Sequence, residues 1–158
     1  MKALFSRALG SLYKKDRASF NKTITILEDL NCQDEDGRSI LVYAVLENDI
    51  LSAKTLISRG ANVNLKDNNG WSPLHFAVNE YHLEIAKLLV ESGAEINAKD
   101  SYGNTVIWRA VFASKGRGEI IDVLLKNGAN PDIKNNSGVS ARSLAETIGN
   151  YDVSKFLK

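Results

Sequence analysis

The chain has 158 residues, 44% hydrophobic and 25% charged, with 20 Lys and Arg against 19 Asp and Glu for a net charge of +1. That length suits one compact unit or one short array, the composition is that of a folding chain, and the charge balance supplies no overall field to draw nucleic acid or an anionic membrane. Cys32 is the only cysteine, so no intramolecular disulfide can form and a reducing cytosol is the expected compartment.

From the start, Lys2 and Arg7 interrupt any apolar run of signal-peptide length, and no later stretch approaches the ~20 apolar residues of a membrane span. The expectation is a soluble, cytoplasmic chain. Leu4, Ala8 and Leu12, with Phe5 and Leu9, keep helical spacing, and Ile24, Ile26, Leu27 and Leu30 predict a second helix packing on the first repeat.

Beyond residue 33 the sequence repeats itself. Gly37, Gly70, Gly103 and Gly138 are spaced by 33, 33 and 35 residues, each after an acidic or Asn-rich tripeptide. Such a run reads as a turn whose glycine takes the left-handed conformation. In the same registers recur Ala44, Ala77, Ala110 and Ala145, then Leu56, Leu89, Leu124 and Leu157, and the pairs Gly60-Ala61, Gly93-Ala94 and Gly128-Ala129. The copy at 67–99 shows the plan. Ser72 is placed as an N-cap and Pro73 at the first helical position, with Leu74, Ala77 and Val78 on one face. A second helix is predicted from Leu83 to Ser92, closed by Gly93 as a left-handed C-cap. Helices this short are marginal alone, so neighbouring units must stack and share one core.

The run Asp67-Asn68-Asn69-Gly70-Trp71-Ser72-Pro73-Leu74-His75-Phe76-Ala77, followed by Glu84-Ile85-Ala86-Lys87-Leu88-Leu89 and Gly93-Ala94, closely resembles the ankyrin repeat. The resemblance implies an all-α solenoid of stacked helix-turn-helix units with β-hairpin fingers, and a usual role in binding other proteins. It divides the chain into a degenerate N-terminal capping repeat (1–33), repeats at 34–66, 67–99 and 100–134, and a C-terminal capping repeat (135–158) made polar by Lys155 and Lys158. Only Ser72 to His75 keeps the Thr-Pro-Leu-His signature closely. The third unit is two residues longer, and Ala113 to Gly118 holds the insertion between its helices.

Chemistry finds no foothold. His75 and His82 lie far from Cys32, there is no Cys-x-x-Cys or Gly-x-Ser-x-Gly run, and Gly116-Arg117-Gly118 lacks the Lys-Ser/Thr of a phosphate loop. No catalytic residue, metal or cofactor is expected, and both histidines read as structural. Residues 34 to 100 carry 6 basic and 11 acidic side chains while both flanks are net basic, so an acidic centre would suit a partner with a basic surface. Basic termini with Lys14, Lys15, Arg17, Arg109, Lys115 and Arg117 would be the route to nucleic acid, which the balance disfavours.

The candidate protein-binding residues follow from the repeat plan. Positions flanking the turn glycines should point to solvent: Glu35, Asp36 and Arg38, then Asn69 and Trp71, then Tyr102 and Asn104. Leu46, Glu47, Asn79, Glu80 and Phe112, at the ends of the first helices, should face the same concavity, while Tyr81 and Trp108 either line it or pack inward. Trp71 and Tyr102 are the expected anchors, since Trp, Tyr and Arg dominate binding energies; the alternative for Trp71 is a ring lying flat on the neighbouring finger. The expected partner is one or more proteins bound by a monomer, with inhibition of a toxic enzyme, as by an immunity protein, as one concrete form.

Overall fold

The computed structural model describes residues 2–148 and 152–157; Met1, residues 149–151 and Lys158, the last counted in the expected polar end, lie outside the described residues. The helices come in pairs: α1 (Lys2–Tyr13) with α2 (Arg17–Ile26), α3 (Ile40–Leu46) with α4 (Ile50–Ser58), α5 (Pro73–Asn79) with α6 (Leu83–Glu91), α7 (Val106–Ala113) with α8 (Glu119–Lys126), then α9 (Ala141–Thr147) and a 3₁₀ turn (Ser154–Leu157). This is the expected all-α repeat fold.

Each pair starts and stops for local reasons. Asp16 and Asp49 accept the N–H of Ser19 and Ser52 and so cap α2 and α4. Pro73 opens α5, where its missing donor costs nothing. Gly60, Gly93 and Gly128 follow α4, α6 and α8 with φ of 90°, 87° and 86°, the left-handed C-cap that glycine adopts without a Cβ clash. The first pair departs from expectation: α2 ends at Ile26, short of Leu30, because Leu27 turns extended and Asp29 Oδ1 accepts the N–H of Asn31 at 2.7 Å. That side-chain turn satisfies backbone that a longer helix would have used. Leu27 is buried and Ile26 is 53% exposed.

The recurring alanines and leucines are the stack. Ala44, Ala77, Ala110 and Ala145 are buried, as are Leu56, Leu89 and Leu124, within one core running from Phe5 to Leu157. Small residues let helix axes approach, and the apolar area they hide supplies the driving force. First helices pack on one another more extensively than second helices do, with α3, α5 and α7 forming one row and α4, α6 and α8 the other. The insertion falls at 114–118, between α7 and α8, as the repeat spacing required.

Two polar ladders tie the units at the 33-residue period. Asn31, Asn64 and Asn97 accept the N–H of Asn62, Glu95 and Asn130 at 2.7–2.8 Å, and the amides of Asn64 and Asn97 donate to the carbonyls of Gly93 and Gly128 at 3.1 Å. At the tips, Asn68 N donates to Asp36 O, Ser101 N to Asn69 O and Asn136 N to Tyr102 O, each at 3.0 Å. The fingers are therefore laid edge to edge. Within a finger the hairpin pairing amounts to isolated antiparallel bridges, Gln33 with Ser39 and Lys99 with Thr105.

Candidate functional site

The inner face is assembled from finger tips and first helices. Each finger closes on a turn aspartate or asparagine: Asp34, Asp67, Asp100 and Asn135 each accept two backbone N–H groups through Oδ1 at 2.8–3.0 Å. Gly70 follows with φ of +76°, and a Cβ there would meet the Ser101 amide nitrogen at 2.8 Å. Glycine is thus demanded twice, by the torsion and by the next finger's backbone.

Side chains from the first helices then lock the fingers. Tyr43 donates its hydroxyl to Asp34 Oδ2; burial and the adjacent carboxylate push the tyrosine up to about 12. In the third repeat, Arg109 donates to Asp100 Oδ2 from Nε at 3.1 Å and Nη2 at 2.6 Å. Burial would raise the Asp100 carboxyl, but the hydrogen bonds from Arg109 and Asn104 outweigh it and hold it below its usual range. The same guanidinium lies 4.6 Å from the Trp71 ring and 5.4 Å from that of Trp108, while Trp71 meets Phe76 at 5.0 Å and Trp108 stacks on Phe112 at 5.6 Å. A ribbon of aromatic rings and one neutralised cation thereby crosses two repeats.

The candidate residues sort into three groups. Glu35, Asp36, Asn69, Tyr102, Glu47, Glu80 and Phe112 are exposed, with Tyr102 at 66% and Phe112 at 59%. Arg38, Leu46 and Asn79 are half-buried. Trp71 and Asn104 do not project into solvent. Trp71 is half-buried because Arg109 of α7 and Phe76 of α5 cover it. Asn104 is 5% exposed, since its amide donates to Asp100 Oδ2 and its Oδ1 accepts from Asn135 at 2.7 Å.

The histidines are structural. His75 is fully buried, its Nδ1 meeting Ser72 Oγ at 2.9 Å, and burial pushes its pKa down to about 4 against the opposing pull of Asp100. In the third repeat Thr105 Oγ1 caps Trp108 N instead, and in the last Ser140 pairs with Ser143. His82 Nδ1 lies 2.9 Å from the Val45 carbonyl of the preceding unit. Among the described residues no group of three His, Cys, Asp or Glu is placed to hold a metal, and no helix is long and apolar enough to cross a membrane.

The family model for ankyrin repeats in three copies matches residues 12–100 and 53–135. The chain belongs to the ankyrin-repeat family. Ankyrin repeats are generally protein–protein interaction modules, and the fingers and first helices of this ankyrin array carry the exposed Tyr102, Phe112, Glu35, Asp36, Glu47 and Glu80. No curated protein matches the chain.

Three features of the ankyrin face escape the sequence reading. The asparagines at 31, 64 and 97 announce themselves by their spacing. Arg109 and Tyr43 as finger locks could have been found from their shared place nine residues after the turn aspartate. Arg117 carries no such signal: its guanidinium lies 3.4 Å from the Tyr81 ring, whose hydroxyl donates to Glu119 at 2.6 Å.

Proposed function

We propose that this ankyrin array is a non-enzymatic module that binds a protein partner through the fingers and first helices of its inner face, with Tyr102 and Phe112 as apolar anchors and Glu35, Asp36, Glu47 and Glu80 orienting a basic partner surface. The observation that carries this is the exposure of two large aromatic side chains, Tyr102 and Phe112, joined to one rigid ribbon through Asp100, Arg109 and Trp108. Rigid aromatic anchors lose little side-chain entropy on binding. The charges favour the same reading: Arg109 is neutralised by Asp100, while Glu47 and Glu80 stand exposed at the ends of α3 and α5. The Lys2–Glu35 contact at 3.8 Å is fully solvated and competes with nothing.

Residues 1–33 and 135–158 serve in this reading as caps of a cytoplasmic monomer. Inhibition is one concrete form of the activity, with the array plugging a toxic enzyme as an immunity protein does; a toxin gene beside this one would favour it. The test is capture of a partner from the native host on immobilised protein. Replacing Tyr102 and Phe112 together by Ala should leave melting nearly unchanged while removing the captured protein, and undiminished capture would refute the site.

A further inference from the structure

The three full fingers are built alike but closed differently. In the first, Tyr43 donates to the second oxygen of Asp34; in the third, Arg109 donates twice to the second oxygen of Asp100, joined by Asn104 Nδ2 at 3.2 Å. Both main donors stand nine residues after their aspartate. In the second finger that place is held by Phe76, which has no hydrogen to donate. Asp67 Oδ1 takes the N–H groups of Asn69 and Trp71, but among the described residues its Oδ2 has neither a hydrogen bond nor an ion pair, although Asp67 is only 7% exposed. That oxygen keeps contact with solvent and so stays open to a donor from outside.

Two rings flank that oxygen's finger, Trp71 and Phe76, 5.0 Å apart and inclined at 60°. Among the described residues no neighbouring cation pairs with that oxygen. Arg38 lies over Phe76 at 5.6 Å and pairs with Asp36 at 3.7 Å, and Lys66 Nζ donates to the Lys99 carbonyl at 2.9 Å. One repeat later the same architecture appears filled: the Arg109 guanidinium sits on Asp100 with Trp71 and Trp108 rings on either side.

We propose that Asp67 Oδ2, beside Trp71 and Phe76, receives an arginine side chain of the protein partner, which takes in trans the place that Arg109 takes in cis in the next repeat. The assignment rests on the inner face being the binding face. A guanidinium suits the site better than an ammonium, since it combines paired N–H donation to a carboxylate with a flat face for the rings. Asp67 thereby becomes the specificity-determining residue for the basic partner.

The test is an NMR titration of the full chain with N-acetyl-arginine amide, with the citrulline analogue as the uncharged control. Saturable shifts of the Asp67 carboxyl carbon and the Trp71 indole N–H are expected with arginine and not with citrulline. Asp67→Asn should weaken arginine binding about tenfold or more. Phe76→Arg plants the guanidinium in cis and should abolish binding while the chain still melts at or above the wild-type temperature; should that variant not fold, Asp67→Asn decides alone. No saturable shift, an equal response to citrulline, or full binding by Asp67→Asn overturns the assignment and leaves a site that holds only water. If arginine fails yet partner capture still depends on Tyr102 and Phe112, the arginine site falls and the binding face stands.

Discussion

Acid should loosen this array first through one side chain. His75 is buried and neutral, with its pKa pushed down to about 4, against an ordinary 6.5 in the unfolded chain. Between those values the unfolded chain binds a proton that the folded chain refuses, so stability is complete above pH 6.5 and falls as the pH drops toward 4. At about 1.4 kcal/mol per pH unit the gap amounts to about 3 kcal/mol, a large share of the stability of a domain this size. The depressed carboxylates Asp34 and Asp100 act in a different window: their contribution is present above about pH 4 and is lost only below it. Urea unfolding at half-unit steps from pH 7.5 to 4.0 would measure the slope for the wild type and for His75→Asn. The variant loses some stability at neutral pH, but the difference between the two curves should shrink by about 3 kcal/mol on acidification, and taking the difference cancels every other titrating group. Parallel curves would refute the reasoning.

Other expectations follow from the ladders and locks. Asn64→Ala removes two inter-repeat hydrogen bonds and should cost about 1–2 kcal/mol in urea unfolding. Gly70→Ala combines a left-handed torsion with a Cβ 2.8 Å from the Ser101 amide, whereas Gly138→Ala has the same torsion and open space around it; the first should lower the melting temperature clearly more than the second. Arg109→Lys keeps the charge but loses the two-nitrogen grip on Asp100 and the flat contact with Trp71. It should cost about 1–3 kcal/mol and raise the exposure of Trp71, visible as a red shift of its fluorescence.

The repeat was legible because its signals are local. Turn glycines, Pro73 and the buried alanines each state a backbone requirement at a single position, and their recurrence gives the period without any knowledge of contacts. The insertion at 114–118 could be placed for the same reason. What escaped depends on which side chains meet across repeats. Trp71 reads as exposed from its place after Gly70, but Phe76 and, from 38 residues later, Arg109 cover it. Asn104 is in the corresponding place after Gly103, yet Asp100 and Asn135 draw its amide inward. The end of α2 was missed because Asp29 competes for backbone that the apolar spacing assigned to helix.

Whether the inner face does the binding can be decided by photo-crosslinking. A benzophenone side chain would be placed in turn at Tyr102 and Phe112, and at Leu51 and Ile26, which are also exposed but belong to the second-helix row. With the captured partner, efficient crosslinks are expected from Tyr102 and Phe112 and none above background from the other two; crosslinks confined to Leu51 and Ile26 would place the partner on the opposite side of the array and contradict the binding face.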